Sequence, residues 1–275
     1  MNNKIKLLLG VLLALFSFYY TAKSIDLVKR IDPIMERIEK NQDKFNISPI
    51  NARIVDDTII PGLKGKKVNI NLTYNKMKEY GTYNESLTIL KDISPKVSIK
   101  NNYDKYIISG NKKKRSVSLI FHIDDLDKYK IITNYIELEH LQATLLIDSD
   151  IIEYLDENNL SKYNIELNYK EINKVYISSN NSYIETITNK KNSYCITKKK
   201  NNKLLDICNK YKYQTVIPNI ILNNNPTITI KKELSNGSII LVEITNDIKK
   251  ELDYIVYYIE SKGYMITMLD TLLQE

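Results

Sequence analysis

The sequence predicts an α/β protein. From Ser116 onward, short apolar strand-like runs take turns with runs whose apolar residues recur at three and four. That alternation is the signature of a βα-type sheet or barrel. Ahead of it stand an apolar run behind two lysines, a helical stretch, and a region of short strands and turns marked by Pro and Gly. The chain therefore reads as 1–22, 23–45, 46–115 and 116–275. At 275 residues and 43% hydrophobic content it can form one substantial domain plus an accessory segment, and disorder is not the default reading.

Each element follows from local pattern. Lys4 and Lys6 precede residues 7–22, sixteen mostly apolar positions without an acidic or basic side chain. Positive charge ahead of such a run places the N-terminus inside and the rest outside the cytoplasm. The run suits a signal anchor or the apolar region of a signal peptide. Tyr20, two positions before Ala22, makes a poor cleavage site and favours the anchor. The expected location is thus the cell membrane, single-pass, with the C-terminal domain extracytoplasmic. In 23–45, Val28, Ile31, Met35 and Ile38 form a helical stripe that Pro33 should kink or restart. Two heptads are too short for a coiled coil, so the stripe should pack on the domain or on membrane.

The accessory region, 46–115, holds a strand at 59–60 running into the Pro61-Gly62 turn and a helix at 72–80 stopped by Gly81. Strands are expected at 86–90, 97–100 and 103–108. Beyond it, strands fall at 116–121, 143–147, 163–168, 194–197, 214–222, 238–242 and 264–269. Helices fall at 126–138, 151–155, 182–188 and 204–211, and a last one carries Leu252, Ile255, Val256 and Ile259 on one face before Gly263 ends it.

Composition excludes some functions. The formal net charge is +7, and much of it lies in the runs 112–115 and 198–200 beside apolar strands. Such runs without aromatic stacking platforms are solvated loops, so nucleic acid is not an expected partner. No phosphate loop or dinucleotide fingerprint occurs, which removes support for nucleotide chemistry. Cys195 and Cys208 lie thirteen positions apart. An oxidising location permits a disulfide between them; two buried free thiols are the alternative. With His122 and His140 they show no zinc-ligand spacing.

Residues 237–273 carry Gly-Ser-Ile-Ile-Leu-Val-Glu, a helix, and Lys-Gly-Tyr-Met-Ile-Thr-Met-Leu. This ending resembles the close of the polysaccharide deacetylase (NodB homology, carbohydrate esterase family 4-like) domain, G-S-I-I-L-L-H-D followed by K-G-Y-x-F-V-T-L. The resemblance covers about 116–275 and implies a distorted (β/α) barrel of NodB type, preceded by the membrane-anchor helix and a small α+β accessory region. Gln142-Ala-Thr-Leu-Leu146 is similar to the family's K-A-T-F-F strand.

The family's chemistry does not carry over. Its T-F-D-D-G motif supplies a general base and a metal ligand, and His122 and Ile123 stand at those two positions. Its two metal-binding histidines align with Tyr169 and Asn173, its R-P-P-x-G loop with 194–198, and its L-H-D histidine with Glu243. Metals want basic, deprotonated donors, so Ile123, Tyr169 and Asn173 give no site. No cofactor is expected unless His122 and Asp124, with Asp125, Asp148 and Glu166 nearby, form a rebuilt divalent-metal site. Asp124 and Asp125 also stand where acids cap a helix.

Barrel ligands bind at the C-terminal ends of strands, which makes Asp124, Asp148, Asn168, Tyr169 and Lys198 the expected substrate-binding set. The resemblance then implies a membrane-anchored, catalytically inactive deacetylase-like protein. Its partner would be cell-wall polysaccharide or peptidoglycan, or a protein that it scaffolds. The alternative is an active carbohydrate de-N-acetylase with His122 and Glu243 as its catalytic groups.

Overall fold

The computed structural model describes residues 3–155, 160–191 and 193–275. In chain order the elements begin with helices α1 (Asn3–Arg30) and α2 (Pro33–Asn41), strands β1 (Arg53–Val55), β2 (Thr58–Ile60) and β3 (Gly65–Val68), helix α3 (Ile70–Glu79), and strands β4 (Leu90–Ile93) and β5 (Tyr106–Ile107). Then come β6 (Ser116–Ile123), α4 (Leu126–Leu138), β7 (Thr144–Asp148), β8 (Asn164–Asn168), α5 (Lys174–Thr188), β9 (Tyr194–Ile196) and α6 (Asn202–Tyr211). The chain closes with β10 (Gln214–Val216), β11 (Ile220–Leu222), α7 (Pro226–Glu233), β12 (Ile239–Glu243), α8 (Asn246–Ser261), β13 (Met265–Ile266) and α9 (Leu269–Leu273). Two compact units result, one of residues 1–49 and 64–93, the other of 50–63 and 94–275. The stretch 46–115 is shared between them.

In the first unit, no helix among the described residues is long and apolar enough to cross a membrane. The single-pass membrane location expected from the N-terminal run is therefore not supported. The reason lies in length and composition. The apolar run 7–22 rises about 24 Å as helix, against about 30 Å of bilayer hydrocarbon. Ser17, Tyr19, Tyr20 and Thr21 also weaken its hydropathy. The side chains of Lys4, Lys6 and Val28 lie outside the described residues. Pro33 restarts the helix: it opens α2 while the Asp32 carboxylate accepts from the Ile34 N–H at 2.9 Å. Met35 and Ile38 of α2 are buried with Val68, Tyr74 and Met77, beside the antiparallel pair β3–β4.

The second unit holds two sheets. One runs β11-β12-β6-β7-β8, all parallel, with β13 pairing the start of β6; the other runs β1-β2-β5-β10-β9, parallel apart from β1–β2. The strand alternation sorts side chains onto two faces. Val117, Leu119, Phe121 and Ile123 face a helix-covered core with Ile132 of α4 and Ile255 and Ile259 of α8. Ile120, Leu146, Ile239 and Leu241 instead meet Ile59, Ile107, Ile196 and Val216 of the second sheet. The result is a mixed α/β fold with parallel sheets.

Some element expectations were displaced by capping side chains. At 86–90 the chain makes a helical turn, Glu85–Leu87, because the Asn84 side chain accepts from the Ser86 N–H at 2.9 Å. At 97–100, Ser98 likewise caps a turn at Ile99–Asn101. The expected strand 214–222 is two strands in two sheets, separated at Pro218, which lacks the N–H a continuous ladder needs.

Candidate functional site

Four strand ends of the first sheet converge on one cluster. His122 on β6 pairs in register with Glu243 on β12. Asp148 closes β7 and pairs with Asn168 at the end of β8. His122, Asp148 and Glu243 lie two positions beyond Ile120, Leu146 and Leu241, which face the second sheet, and Asn168 is the cross-strand partner of Asp148, so all four project to the sheet's inner side. His122 Nδ1 lies 2.7 Å from Glu243 Oε2 and its Nε2 lies 2.8 Å from Asp148 Oδ1. The Asn168 amide donates to the same Asp148 oxygen at 2.6 Å, and Lys198 Nζ lies 2.6 Å from Glu243 Oε1.

This geometry fixes the protonation. Both ring nitrogens face oxygens of carboxylates held ionised, which favours hydrogen on both and an imidazolium, although the Asn168 amide nitrogen also lies 3.2 Å from Nε2. Burial opposes its charge, but the hydrogen bonds to Asp148 and Glu243 prevail and raise its pKa to about 9. Burial would raise Glu243, yet His122 and Lys198 hold it down at about 2. Asp148 is likewise held below the ordinary carboxylate range by His122 and Asn168 against the effect of burial.

A general base needs a free nitrogen with a pKa near working pH, and a metal needs the neutral ring's lone pair. The His122 ring offers neither. A rebuilt divalent-metal site centred on His122 therefore does not fit. The other aligned positions agree. Ile123 is fully buried in the helix-facing core. The Tyr169 hydroxyl donates to Asn181 Oδ1 at 2.6 Å, and the Asn173 side chain caps α5 by accepting from the Tyr176 N–H at 2.8 Å. Among the described residues, no group of three His, Cys, Asp or Glu is arranged to hold a metal ion.

Of the residues singled out in the sequence, His122, Asp148, Asn168, Lys198 and Glu243 come together. Asp124 does not join them: past the strand end, it pairs with Lys128, so the expected His122–Asp124 pairing is absent. Asp125 caps α4, accepting from the Lys128 N–H at 2.7 Å, and exposed His140 holds a left-handed backbone with φ 49°. Beside the cluster opens a cavity of about 460 Å³, within the range of small-ligand sites, whose polar wall is Asn168, Tyr169, Thr197, Lys198 and Lys199. Leu146 and Leu241 supply apolar lining that sequence reasoning did not name, although their place on the inner face follows from the same alternation as His122. Cys195 and Cys208 form a disulfide that fastens β9 to α6.

No family model matches the sequence. A search of curated proteins finds YlxY of Bacillus subtilis (strain 168), an uncharacterized protein, 23% identical over 271 residues, with 89% of this chain and 84% of the relative covered. Among solved structures, wild-type BA3943 of Bacillus anthracis, described as a carbohydrate esterase family 4 pseudoenzyme, aligns with TM-score 0.65 at 19% identity over 89% of this chain and 96% of the other. A BA3943 mutant described as having restored enzymatic activity aligns at TM-score 0.66 and 19% identity, over 89% and 99%. PdaA of Bacillus subtilis, a family 4 carbohydrate esterase, aligns at TM-score 0.52 and 16% identity, over 64% and 87%. The fold is that of a NodB-like polysaccharide deacetylase domain.

Proposed function

We propose that this chain, built on the fold of the family 4 carbohydrate esterases, is a catalytically silent deacetylase-like protein that binds cell-wall glycan. The observation that carries the reading is the closure of His122 between Glu243 and Asp148 at 2.7 and 2.8 Å. Hydrolysis by the family's route needs a metal-activated water and a base. Here the group that stands at the base position is a cation with no free lone pair. The adjoining cavity supports the binding half: it offers an amide, a phenol, a hydroxyl and two ammoniums over apolar lining, a combination that suits a sugar chain. A structural neighbour described as a peptidoglycan N-acetylglucosamine deacetylase points to the same ligand class.

The test uses the purified full chain. Bound metal is measured by elemental analysis, acetate release from chitooligosaccharides and peptidoglycan by a coupled assay, and glycan retention by co-sedimentation with insoluble peptidoglycan. Silence with retention, weakened in Lys198→Ala, is the expected result. Stoichiometric metal, or acetate release abolished by His122→Ala, would replace this reading with an active de-N-acetylase. Absence of retention would remove the glycan.

A further inference from the structure

A second cavity, of about 570 Å³, lies at the other end of the strands, where β9 and β10 begin. Lys100, Lys191, Lys212, Tyr103, Ser193 and Gln214 line it. Among the described residues none of the three ammoniums is paired with a carboxylate. The acids on the same wall are engaged elsewhere: Asp270 accepts from the Asn164 amide at 3.0 Å, and Glu275 from the Gly62 and Ile99 N–H groups at 2.7 and 3.2 Å.

Two features argue that the wall is built rather than incidental. Gln214 is only 6% exposed; its amide donates to the Ile99 carbonyl at 2.5 Å, but its Oε1 has no partner. A buried orphan acceptor costs about 1–3 kcal/mol, and since the oxygen is closed to solvent, a ligand's donor would relieve it by turning the Gln214 amide towards the cavity. Lys212 ends α6 with φ 61°, a left-handed backbone where glycine is the unstrained choice. A side chain there costs about 1–2 kcal/mol. What the strain secures is an ammonium 5.2 Å from the centroid of the Tyr103 ring, at the cavity. The Cys195–Cys208 disulfide fastens the β9 wall to the helix that ends in Lys212.

We infer that this cavity binds an acidic sugar, with its anionic group on Lys100, Lys191 and Lys212 and its hydroxyls on Ser193 and Gln214. The space far exceeds a lone phosphate and suits a monosaccharide unit. Lysines act as point charges that take phosphate and carboxylate alike, so either acid fits the site.

Isothermal titration of the full chain with glucose 6-phosphate, glucuronate, glucose and inorganic phosphate tests this. At least one acidic sugar should bind while glucose does not, and which one binds identifies the acid. Lys212→Gly should weaken that binding about tenfold, the loss of one charged hydrogen bond, while the melting temperature holds or rises because the strain is gone. Exposed Lys191→Gln should weaken it similarly. The inference fails if neither acidic sugar binds at millimolar concentration, or if glucose or inorganic phosphate binds as tightly. It also fails if Lys212→Gly leaves affinity unchanged.

Discussion

Replacing Glu243 with glutamine probes the electrostatics of the cluster with almost no change of shape. The amide oxygen can still accept from His122 Nδ1–H, so that hydrogen bond survives while the charge and its ion pair with Lys198 are lost. Raising the His122 pKa from 6.5 to about 9 corresponds to about 3 kcal/mol of preferential stabilisation of the folded imidazolium. Asp148 and Glu243 share that effect, so the Glu243 charge accounts for about 1.5–2 kcal/mol. The sign follows from linkage. A raised histidine pKa stabilises fully below 6.5, and the contribution is lost as pH rises through about 9. Glu243, depressed to about 2, contributes above 4.5 and loses its effect as pH falls through that lower value. The difference between wild type and Glu243→Gln should therefore be greatest near pH 5–6.5 and shrink towards pH 9–10. Urea unfolding across that range measures it, and NMR titration of the imidazoles, of which the chain has two, reads the His122 pKa directly. A wild-type His122 titrating near 6.5, or a stability difference flat from pH 6 to 10, would refute the argument.

Three further outcomes are expected. His122→Ala strands two part-buried carboxylates, Asp148 and Glu243, on one face; breaking such a pairing costs about 3–5 kcal/mol, readable as a lower urea midpoint, and a loss under 1 kcal/mol would count against the cluster as drawn. Reducing Cys195–Cys208, or replacing both with serine, removes a cross-link spanning 13 positions, worth about 3 kcal/mol by the loop-entropy estimate; calorimetry with and without a phosphine reductant should show a lower melting temperature. Glu166, 2% exposed, accepts from the Tyr194 N–H at 3.2 Å, and burial raises its pKa well above 4.5. A raised carboxyl pKa gives stability present below 4.5 and lost as pH rises. Glu166→Gln should thus match wild type at pH 4 and surpass it at pH 8; a mutant that falls further behind as pH rises would overturn the neutral assignment.

The sequence was most legible where burial sets the pattern. Residues 126–138 and the runs from Ser116, Ala143, Tyr163 and Ser238 announce their elements because one face must be apolar, and the structure places them within a few residues of the expected bounds. It was least legible where a single side chain outweighs the pattern. Asn84 and Ser98 turn β-prone stretches into caps, and Pro218 splits an apolar run between two sheets. The apolar run 7–22 shows a different limit. Positive charge ahead of an apolar helix is a strong local signal, but a span depends on summed length and hydropathy, and sixteen residues fall short of about twenty.

The candidate site was legible as a set of residues but not as an arrangement, and the reason is the two-residue period of a strand. Reading along the chain joins His122 to Asp124, its next neighbour on the same face. Strand pairing instead brings in Glu243 across β12 and Asp148 across β7, respectively 121 and 26 positions away in sequence. In this chain the residue at the aligned metal position turns away from the cluster. Adjacent residues on a strand face opposite layers, so with His122 turned inward, Ile123 belongs to the helix-facing core, where it is 0% exposed. An aspartate at 123 would exchange that burial for an unpaired charge among Val117, Leu119 and Phe121. It would lie on the far side of the sheet from Glu243 and Asp148. The inner face instead holds a fixed organic cation between two carboxylates, and the fold gains from that arrangement whether or not any ligand enters the cavity beside it.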